Sequence, residues 1–258
     1  DTFTLKPAHE CHDMEEMFSG LHRLELKPKK ILITGGGRVA NGALETLRVL
    51  NIREVTPGEF LEKDFSEPVL ARLDPHDYVR HKHGKTFDLH HFYKHPEEYE
   101  SAFKPYQKVA DLYIAAHYWD PKSPPFITEA DMKETDFNIS VIADVSCDVD
   151  GPIASTIRAS TIADPFYDYN PNTGQEEPPF SGKDNITVMA VDNLPGELPR
   201  DASHEFGQVL LDEVFPSLLG NDDKGIIERA TITREGELTD AYKYLQDYVD
   251  GTQEVEAP

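Results

Sequence analysis

The chain has 258 residues, of which 38% are hydrophobic and 28% charged, and its formal net charge is −23. This length and composition suffice to bury a full core in one large or two small domains. The charge argues against nucleic acid or an anionic membrane as a partner, because phosphate contacts need clustered lysine and arginine. No apolar run approaches the roughly 18 residues of a membrane span, and no signal-peptide pattern precedes the first predicted strand, so we expect a cytoplasmic location.

Residues 1–28 are expected to form a helical connector to the first strand. The two cysteines of the chain, Cys11 here and Cys147 further on, are too few for a disulfide framework and lack the spacing of a zinc site. The apolar residues of this segment repeat at helical spacing, at Met14, Met17, Phe18 and Leu21.

A glycine-rich stretch then links a predicted strand to a predicted helix. Ile31–Ile33 is a continuous apolar run, which is typical of a parallel strand buried on both faces. Gly35, Gly37 and Ala40 match the G-x-G-x-x-G/A fingerprint of dinucleotide-binding folds. Backbone N–H groups in such a turn approach a pyrophosphate, and the helix that follows presents its positive end to the same anion. The predicted cofactor-binding residues of the turn are Gly35, Gly36, Gly37, Arg38 and Val39.

The alternative interpretation of these glycines is a turn that only connects two elements. The helix after them begins near Arg38 and is expected to pack on the sheet through four apolar residues. These residues are Val39, Ala43, Leu47 and Leu50.

The residue after the second strand bears on the choice between NAD and NADP. We predict that strand at 53–56, and an acidic residue about 20 positions beyond the glycines binds the ribose 2′-hydroxyl in a typical NAD site. Here the strand ends at Thr56, with Glu59 just beyond it. A threonine repels a 2′-phosphate less than a carboxylate does, yet no arginine follows to bind one. Thr56 is therefore a predicted cofactor contact, and the cofactor is predicted to be NAD or NADP.

Residues 66–108 have the character of an insertion that is rich in histidine and tyrosine. Val69–Leu73 is a possible strand, and Glu97–Phe103 is predicted to be a short helix. No metal-binding pattern organises the histidines, so we expect a solvated, irregular segment without a metal site. The histidines concerned are His76, His81, His83, His90, His91 and His95.

Two more buried strands are predicted, at 111–116 and 138–144. Residues beyond the carboxyl ends of parallel strands face the ligand in doubly wound folds. Tyr118, after the first strand, is predicted to pack either against the nicotinamide or its ribose, or within an aromatic core. The end of the second strand, residues 145–150, holds two carboxylates, a hydroxyl and a thiol within six residues.

Two residues at that strand end have alternative roles. The carboxylate of Asp144 is suited to cap backbone amides. Cys147 would need a nearby base to act as a nucleophile, and the sequence identifies none.

The remaining chain is predicted to complete the sheet and add helices. We expect a strand at 156–163, a polar loop at 164–179, a last buried strand at 185–192, and helices at 201–211 and 238–248. The inward-facing helix residues are predicted to be Phe206, Val209 and Leu210 in the first helix and Tyr242, Leu245 and Val249 in the second. The predicted class is α/β, a Rossmann-like doubly wound parallel sheet with flanking helices spanning 29–199, followed by C-terminal helices at 200–258.

The assembled motifs resemble the lysine-ketoglutarate reductases and lysine-forming saccharopine dehydrogenases, which are relatives of alanine dehydrogenase. The most specific motif is Val191-Asp-Asn-Leu-Pro-Gly-Glu-Leu-Pro-Arg-Asp-Ala-Ser203. The insertion is similar to the reductase half of the bifunctional lysine-degrading enzymes through Tyr93-Lys-His-Pro-Glu-Glu-Tyr99. Supporting runs are Asp144 to Asp148, His117 to Trp119 and Ala241 to Leu245.

The resemblance implies that hydride from a nicotinamide cofactor reduces the imine of lysine and 2-oxoglutarate, reversibly, to give saccharopine. It also implies contacts at the ends of two strands. The implied cofactor contacts are Val145, Val191, Asp192, Asn193 and Leu194, and the implied substrate contacts are Ser146, Cys147 and Asp148. In this family the principal acid/base residues, a lysine and a histidine, come from an N-terminal substrate domain that precedes the glycine turn. Too few residues precede the turn here to form that domain, so we assign no catalytic residue.

Two explanations fit this arrangement. The chain is either the cofactor domain of a longer enzyme, which the start at Asp1 favours, or a nucleotide-binding module without the chemistry. A dehydrogenase acting on alanine or another 2-oxo acid is a further alternative. A small-molecule substrate is expected, and a homo-oligomer is possible.

Overall fold

The computed structural model describes residues 5–252. Residues 1–4 and 253–258, which belong to the predicted connector and C-terminal helices, lie outside the described residues. The chain divides into two units, Asp1–Leu198 and Pro199–Pro258. Among residues 5–252, no helix is both long and apolar enough to cross a membrane.

The first unit is built on an eight-stranded sheet, and a two-stranded hairpin lies apart from it. Its ten strands are β1 (Lys30–Thr34), β2 (Arg53–Glu54), β3 (Val69–Leu73), β4 (Val79–His81), β5 (Tyr99–Ser101), β6 (Leu112–Ala115), β7 (Val141–Asp144), β8 (Phe166–Asn170), β9 (Gln175–Glu177) and β10 (Ile186–Met189). The order in the large sheet is β2-β3-β1-β6-β7-β10-β8-β9, and β4 pairs with β5. The first six strands of this order, which end with β10, run parallel to one another. Strand β8 pairs antiparallel with β10, and β9 pairs antiparallel with β8.

Short helices connect these strands. They are α1 (Met14–Leu21), α2 (Arg38–Arg48), α3 (Pro57–Glu62), α4 (Pro75–Tyr78), α5 (Leu89–Lys94), α6 (Lys104–Gln107) and α7 (Glu129–Met132). Three 3₁₀ turns lie at Ala8–Glu10, Pro96–Glu98 and Leu194–Glu197. The predicted Rossmann-like α/β class is confirmed by this mostly parallel sheet with its flanking helices.

The central strand β1 is buried on both faces, as its continuous apolar sequence predicts. Leu32 packs in the larger cluster together with Tyr113 of β6. Ile31 and Ile33 point to the opposite face, where they meet α2. Alternation along the strand therefore supplies both layers of the core.

Three of the four residues expected to pack α2 on the sheet, Ala43, Leu47 and Leu50, do so, whereas Val39 does not. Ala40 and Leu44 are buried against the sheet, with Ala43 and Leu47 beside them, whereas Val39 is 53% exposed. The helix begins at Arg38, so Val39 lies in its first turn, at the edge of the sheet. Ala40 is fully buried, because the helix packs closely on the strand at this position. The third small residue of the fingerprint usually permits this close packing.

Three predictions between residues 97 and 179 were wrong. The segment predicted as a helix at 97–103 forms a 3₁₀ turn and then strand β5, which pairs with β4. The strand predicted at 156–163 is irregular apart from one bridge between Ser160 and Val191. The predicted loop at 164–179 contains β8 and β9, which extend the sheet beyond β10. Pairing partners distant in sequence stabilise these segments, and local patterns do not reveal such partners.

The second unit is mainly helical. It contains α8 (Pro199–Val209), a π-helix (Leu210–Val214), α9 (Phe215–Leu219), α10 (Ile226–Ala230), the hairpin of β11 (Thr233–Arg234) and β12 (Glu237–Leu238), a 3₁₀ helix (Asp240–Leu245) and α11 (Gln246–Val249). The predicted inward positions Phe206, Val209 and Val249 are more than half exposed. Leu210, Tyr242 and Leu245 are half-buried. A single helix over 238–248 does not form: the segment begins at the end of β12, continues as the 3₁₀ helix and ends in α11.

Candidate functional site

A cavity of about 750 Å³ lies beyond the carboxyl ends of β1, β3, β6 and β7. This edge is where doubly wound folds bind ligands, and the volume lies within the range of small-molecule sites. The cavity is lined by Gly35, Gly36, Gly37, Arg38, Val39, Asp74, Pro75, Tyr78, Leu89, Phe92, Tyr93, Ala116, His117, Tyr118, Trp119, Val145, Ser146 and Asp148.

The glycine turn at the cavity requires glycine at its first position. Gly35 has φ +114°, and a Cβ atom there would lie 2.4 Å from the carbonyl oxygen of Ala116. Gly37, which precedes the first turn of α2, has open space where its Cβ would be. The turn therefore fits tightly against β6 on one side and leaves its backbone accessible on the other, where the N-terminus of α2 favours an anion.

Asp74 is the acidic residue that stands beside the glycine turn. It follows β3 directly, and β3 is the parallel neighbour of β1. Its Oδ1 lies 2.7 Å from the position that a Cβ on Gly36 would take. The other carboxylate oxygen, Oδ2, accepts a hydrogen bond from the Arg72 guanidinium at 3.2 Å.

Thr56 does not line the cavity, contrary to the expectation. It follows β2, and β2 pairs with β3 rather than with β1, at the edge of the sheet. Its hydroxyl accepts a hydrogen bond from the Glu59 N–H at 3.2 Å, and the Glu59 carboxylate accepts one from the Thr56 N–H, which together begin α3. The spacing of about 20 residues after the glycines leads to β2. The parallel neighbour of β1 is instead β3, which comes later in the chain.

A buried polar chain reaches the cavity wall from the core. The hydroxyl of Thr34, at the end of β1, lies 2.8 Å from the Tyr113 hydroxyl and 2.7 Å from Nδ1 of His117. His117 also stacks on Phe126, with ring centroids 3.9 Å apart. Burial lowers the pKa of His117 to about 3, so the imidazole is neutral at physiological pH. Among the described residues, its Nε2 is one of only two buried side-chain N or O atoms without a hydrogen-bond partner.

Asp144 shapes the loop that follows β7. Its Oδ1 accepts hydrogen bonds from the N–H groups of Ser146 and Cys147 and from the Ser146 hydroxyl, and its Oδ2 accepts one from the Thr156 hydroxyl at 2.7 Å. The predicted capping role of Asp144 is therefore confirmed. The network orients Ser146 and Asp148 at the cavity. Burial, and next the charge of Asp144, raise the pKa of Asp148.

Cys147 lies in the same loop without lining the cavity. Its thiol donates to the Ala190 carbonyl oxygen at 3.0 Å. Burial raises its pKa, and the carboxylates of Asp144, Asp192 and Asp148 raise it further. A protonated thiol is a weak nucleophile, and we therefore assign Cys147 a structural role.

The predicted site residues fall into two groups. The cavity brings together Gly35, Gly36, Gly37, Arg38, Val39, Tyr118, Val145, Ser146 and Asp148. Beyond β10, Val191 is buried and bridged to Ser160, whereas Asp192 and Asn193 are exposed and Leu194 begins a 3₁₀ turn. These residues do not line the cavity, because β10 is separated from β1 by β6 and β7. Cys147 and Thr56 do not line it either.

The sequence interpretation did not name Asp74, and it included His117 only in the run His117 to Trp119, without a role of its own. Asp74 could have been found from its place after the apolar run Val69–Leu73, had that run been assigned as the neighbour of β1. His117 stands out only once its burial and its missing hydrogen-bond partner are known.

Residues 66–108, predicted to be a solvated and irregular insertion, are instead largely ordered: they contain β3, which pairs with β1, and buried residues such as Phe92 and Phe103. They also carry a histidine cluster, formed by His81, His91 and Glu98, whose potential ligand atoms lie within 4.8 Å of one another. His81 Nδ1 accepts a hydrogen bond from the His83 N–H at 3.0 Å, and His81 Nε2 lies 3.0 Å from the Glu98 carboxylate. A metal-bound histidine donates the N–H of its other ring nitrogen. Because His81 Nδ1 is an acceptor, its Nε2 carries the proton and donates to Glu98. This arrangement favours a hydrogen-bonding role over metal binding.

Comparison with known proteins places this architecture in a family. The model of the "Alanine dehydrogenase/PNT, C-terminal domain" matches residues 12–241. The chain belongs to this family. The family resemblance inferred from the sequence motifs is thus confirmed.

Individual relatives carry names from lysine metabolism. The alpha-aminoadipic semialdehyde synthase of Arabidopsis thaliana is 30% identical over 257 residues, which cover 90% of this chain and 24% of that protein. The mitochondrial protein of the same name from Mus musculus is 28% identical over 266 residues, covering 90% of this chain and 28% of its own. The saccharopine dehydrogenase (NAD(+), L-lysine-forming) of Yarrowia lipolytica is 34% identical over 117 residues, covering 45% of this chain and 29% of its own. The matched part of the chain thus covers 24–29% of the length of these relatives.

Proposed function

We propose that this chain is the nicotinamide-dinucleotide-binding part of an amino-acid dehydrogenase. The proposed reaction is the interconversion of saccharopine with lysine and 2-oxoglutarate, the small-molecule substrates. The family membership and the names of the relatives support the oxidoreductase class and the link to lysine metabolism. The observation that carries the proposal is the glycine turn with Asp74 beside it at the cavity.

The residues at the cavity fit the parts of a dinucleotide. The open backbone at Gly37 and the N-terminus of α2 suit the pyrophosphate, and Arg38 adds a positive charge in a strongly acidic chain. The Asp74 carboxylate, on the strand next to β1, suits the ribose hydroxyls. When bound, the cofactor supplies the hydride, and this chain holds and orients it.

We further propose NAD as the preferred cofactor. A carboxylate accepts hydrogen bonds from ribose hydroxyls and repels the 2′-phosphate of NADP. Arg72 is the cation near this position, and its guanidinium is engaged with Asp74 at 3.2 Å. The negative charge at Asp74 therefore favours the dinucleotide without the phosphate.

Substrate contacts are proposed on the β7 side of the cavity. The stretch from Val191 to Leu194 lies outside the cavity. We propose that it contacts the cofactor only in the assembled enzyme. The principal acid/base groups are proposed to come from another domain of a longer protein.

Titration with NADH and NADPH, followed by nicotinamide fluorescence, tests this proposal. The chain is expected to bind NADH more tightly than NADPH. The Asp74→Asn variant should bind NADH about tenfold more weakly, because one charge-assisted hydrogen bond to the ribose is worth about 1.5 kcal/mol or more, and it should discriminate less against NADPH.

The matched control is Glu59→Gln, which removes an acid that is distant from the cavity lining. It should leave both affinities unchanged. Saturable binding of neither cofactor by the unsubstituted chain would refute dinucleotide binding, whereas a preference for NADPH would refute the assignment of NAD alone.

A further inference from the structure

His117 carries an unmet hydrogen bond at the wall of the cavity. It follows β6, and its side chain is buried, with 7% of the residue exposed. Leaving a buried donor or acceptor unpaired costs about 1–3 kcal/mol, so such groups in a folded protein call for a physical explanation. The second such atom among the described residues, Oγ of Ser155, does not belong to the cavity lining.

The hydrogen-bond chain determines which ring nitrogen carries the proton. The Tyr113 hydroxyl is fully buried, and burial raises its pKa well above the ordinary value, so it remains a donor. If Tyr113 donates to Thr34 and Thr34 donates to His117 Nδ1, the proton of the neutral imidazole sits on Nε2 and one group lacks a partner. If instead Nδ1 carries the proton, a hydroxyl hydrogen and the Nε2 lone pair both lack partners. The first arrangement leaves fewer unpaired groups, and it makes Nε2 a hydrogen-bond donor.

The position of His117 limits which part of a ligand it can meet. The strands β3, β1 and β6 are adjacent in that order, and they end in Asp74, the glycine turn and His117, respectively. The Cα atom of His117 lies 3.2 Å from the position of a Cβ on Gly35. A dinucleotide with its adenosine ribose at Asp74 therefore passes over the turn and reaches His117 with its pyrophosphate or its second ribose.

We propose that the Nε2–H group of His117 donates a hydrogen bond to an oxygen of the second phosphate or the second ribose of the bound dinucleotide. This inference rests on the proposed function. It assigns His117, a residue of the cavity lining, as a binding residue. Because Nε2 is itself buried in the free chain, the contact requires the ring or the adjoining wall to move when the dinucleotide binds. Because the imidazole is uncharged, the contact is a directional hydrogen bond rather than an ion pair.

Calorimetric titrations with ADP-ribose and with AMP test this assignment. ADP-ribose contains the pyrophosphate and both riboses, whereas AMP lacks the second phosphate and the second ribose. His117→Phe preserves an aromatic ring for stacking on Phe126 but has no N–H. It should weaken ADP-ribose binding about tenfold, the size of one hydrogen bond, and leave AMP binding unchanged. His117→Gln, which retains a donor, should recover part of the affinity.

A spectroscopic measurement on the unsubstituted chain makes the test independent of how the variants fold. The ¹⁵N and ¹H signals of the His117 Nε2–H group should be present in the free protein, and they should shift on addition of ADP-ribose but not of AMP. Unchanged signals, or equal affinities of His117→Phe and the unsubstituted chain for ADP-ribose, would overturn the assignment while leaving dinucleotide binding intact. Failure of the unsubstituted chain to bind ADP-ribose would overturn both proposals.

Discussion

The cavity beside the glycine turn and the histidine cluster of the inserted segment are both rich in polar side chains, yet they differ in whether these groups have partners. In the histidine cluster, His81 uses both ring nitrogens in hydrogen bonds within the protein. At the cavity, Nε2 of His117 has no partner and the turn leaves open space at Gly37. The density of histidines is therefore a poorer guide to a ligand site than an unmet hydrogen bond beside a cavity.

The largest effect is expected from adding one methyl group to the turn. Gly35→Ala places a Cβ 2.4 Å from a backbone oxygen, at a φ that side chains rarely adopt. The variant should lose about 3 kcal/mol or more of unfolding free energy, from steric overlap and backbone strain together. Gly37→Ala is the matched control, because its Cβ meets nothing within 4 Å. Urea unfolding curves measure both, and equal stabilities would contradict the tight approach of β6 to the turn.

A smaller effect is expected from the pH dependence of stability. The pKa of His117 is lowered from 6.5 to about 3, so below pH 6.5 the unfolded chain binds a proton that the folded chain does not. Stability contributed by this group should therefore fall by about 1.4 kcal/mol per pH unit as the pH decreases from 6.5 towards 3.

The control for this pH dependence is His117→Phe, which lacks the titrating group. The slope of its unfolding free energy against pH between 6.5 and 4.5 should be shallower by that amount. Identical slopes for the two chains would show that His117 is not buried as a neutral imidazole.

The smallest effect is expected at the histidine cluster. Added Zn²⁺ should leave the Tm unchanged, because His81 Nε2 carries a proton that it donates to Glu98. A rise in Tm with Zn²⁺ that His91→Ala abolishes would contradict this description and would reveal a metal site.

The sequence predicts well those features that depend on neighbouring residues. The apolar run of β1, the glycine turn and the start of α2 at Arg38 form where local pattern and fingerprint place them. In contrast, Asp74 reaches the turn because β3 rather than β2 pairs with β1, and this pairing depends on residues far apart in the chain. The histidine that lacks a partner is likewise recognisable only from tertiary burial.

The same reasoning explains why two expectations differ from the structure. The prediction of Thr56 used a fixed spacing that assumes successive strands are neighbours, whereas β3 lies between β1 and β2. Val39 was expected to pack inward, but it lies in the first turn of α2 and lines the cavity. Ala40 and Leu44 pack on the sheet beside the expected Ala43, Leu47 and Leu50.

Amide hydrogen exchange of the chain, with and without saturating NADH, tests dinucleotide binding at the glycine turn most directly. With NADH bound, we predict slower exchange at the glycine turn, residues 35–39, and at Asp74. No change is expected in β4, which carries His81 of the histidine cluster, or in its partner β5. Unaltered exchange at the turn, or slowing confined to β4 and β5, would contradict dinucleotide binding at the glycine turn.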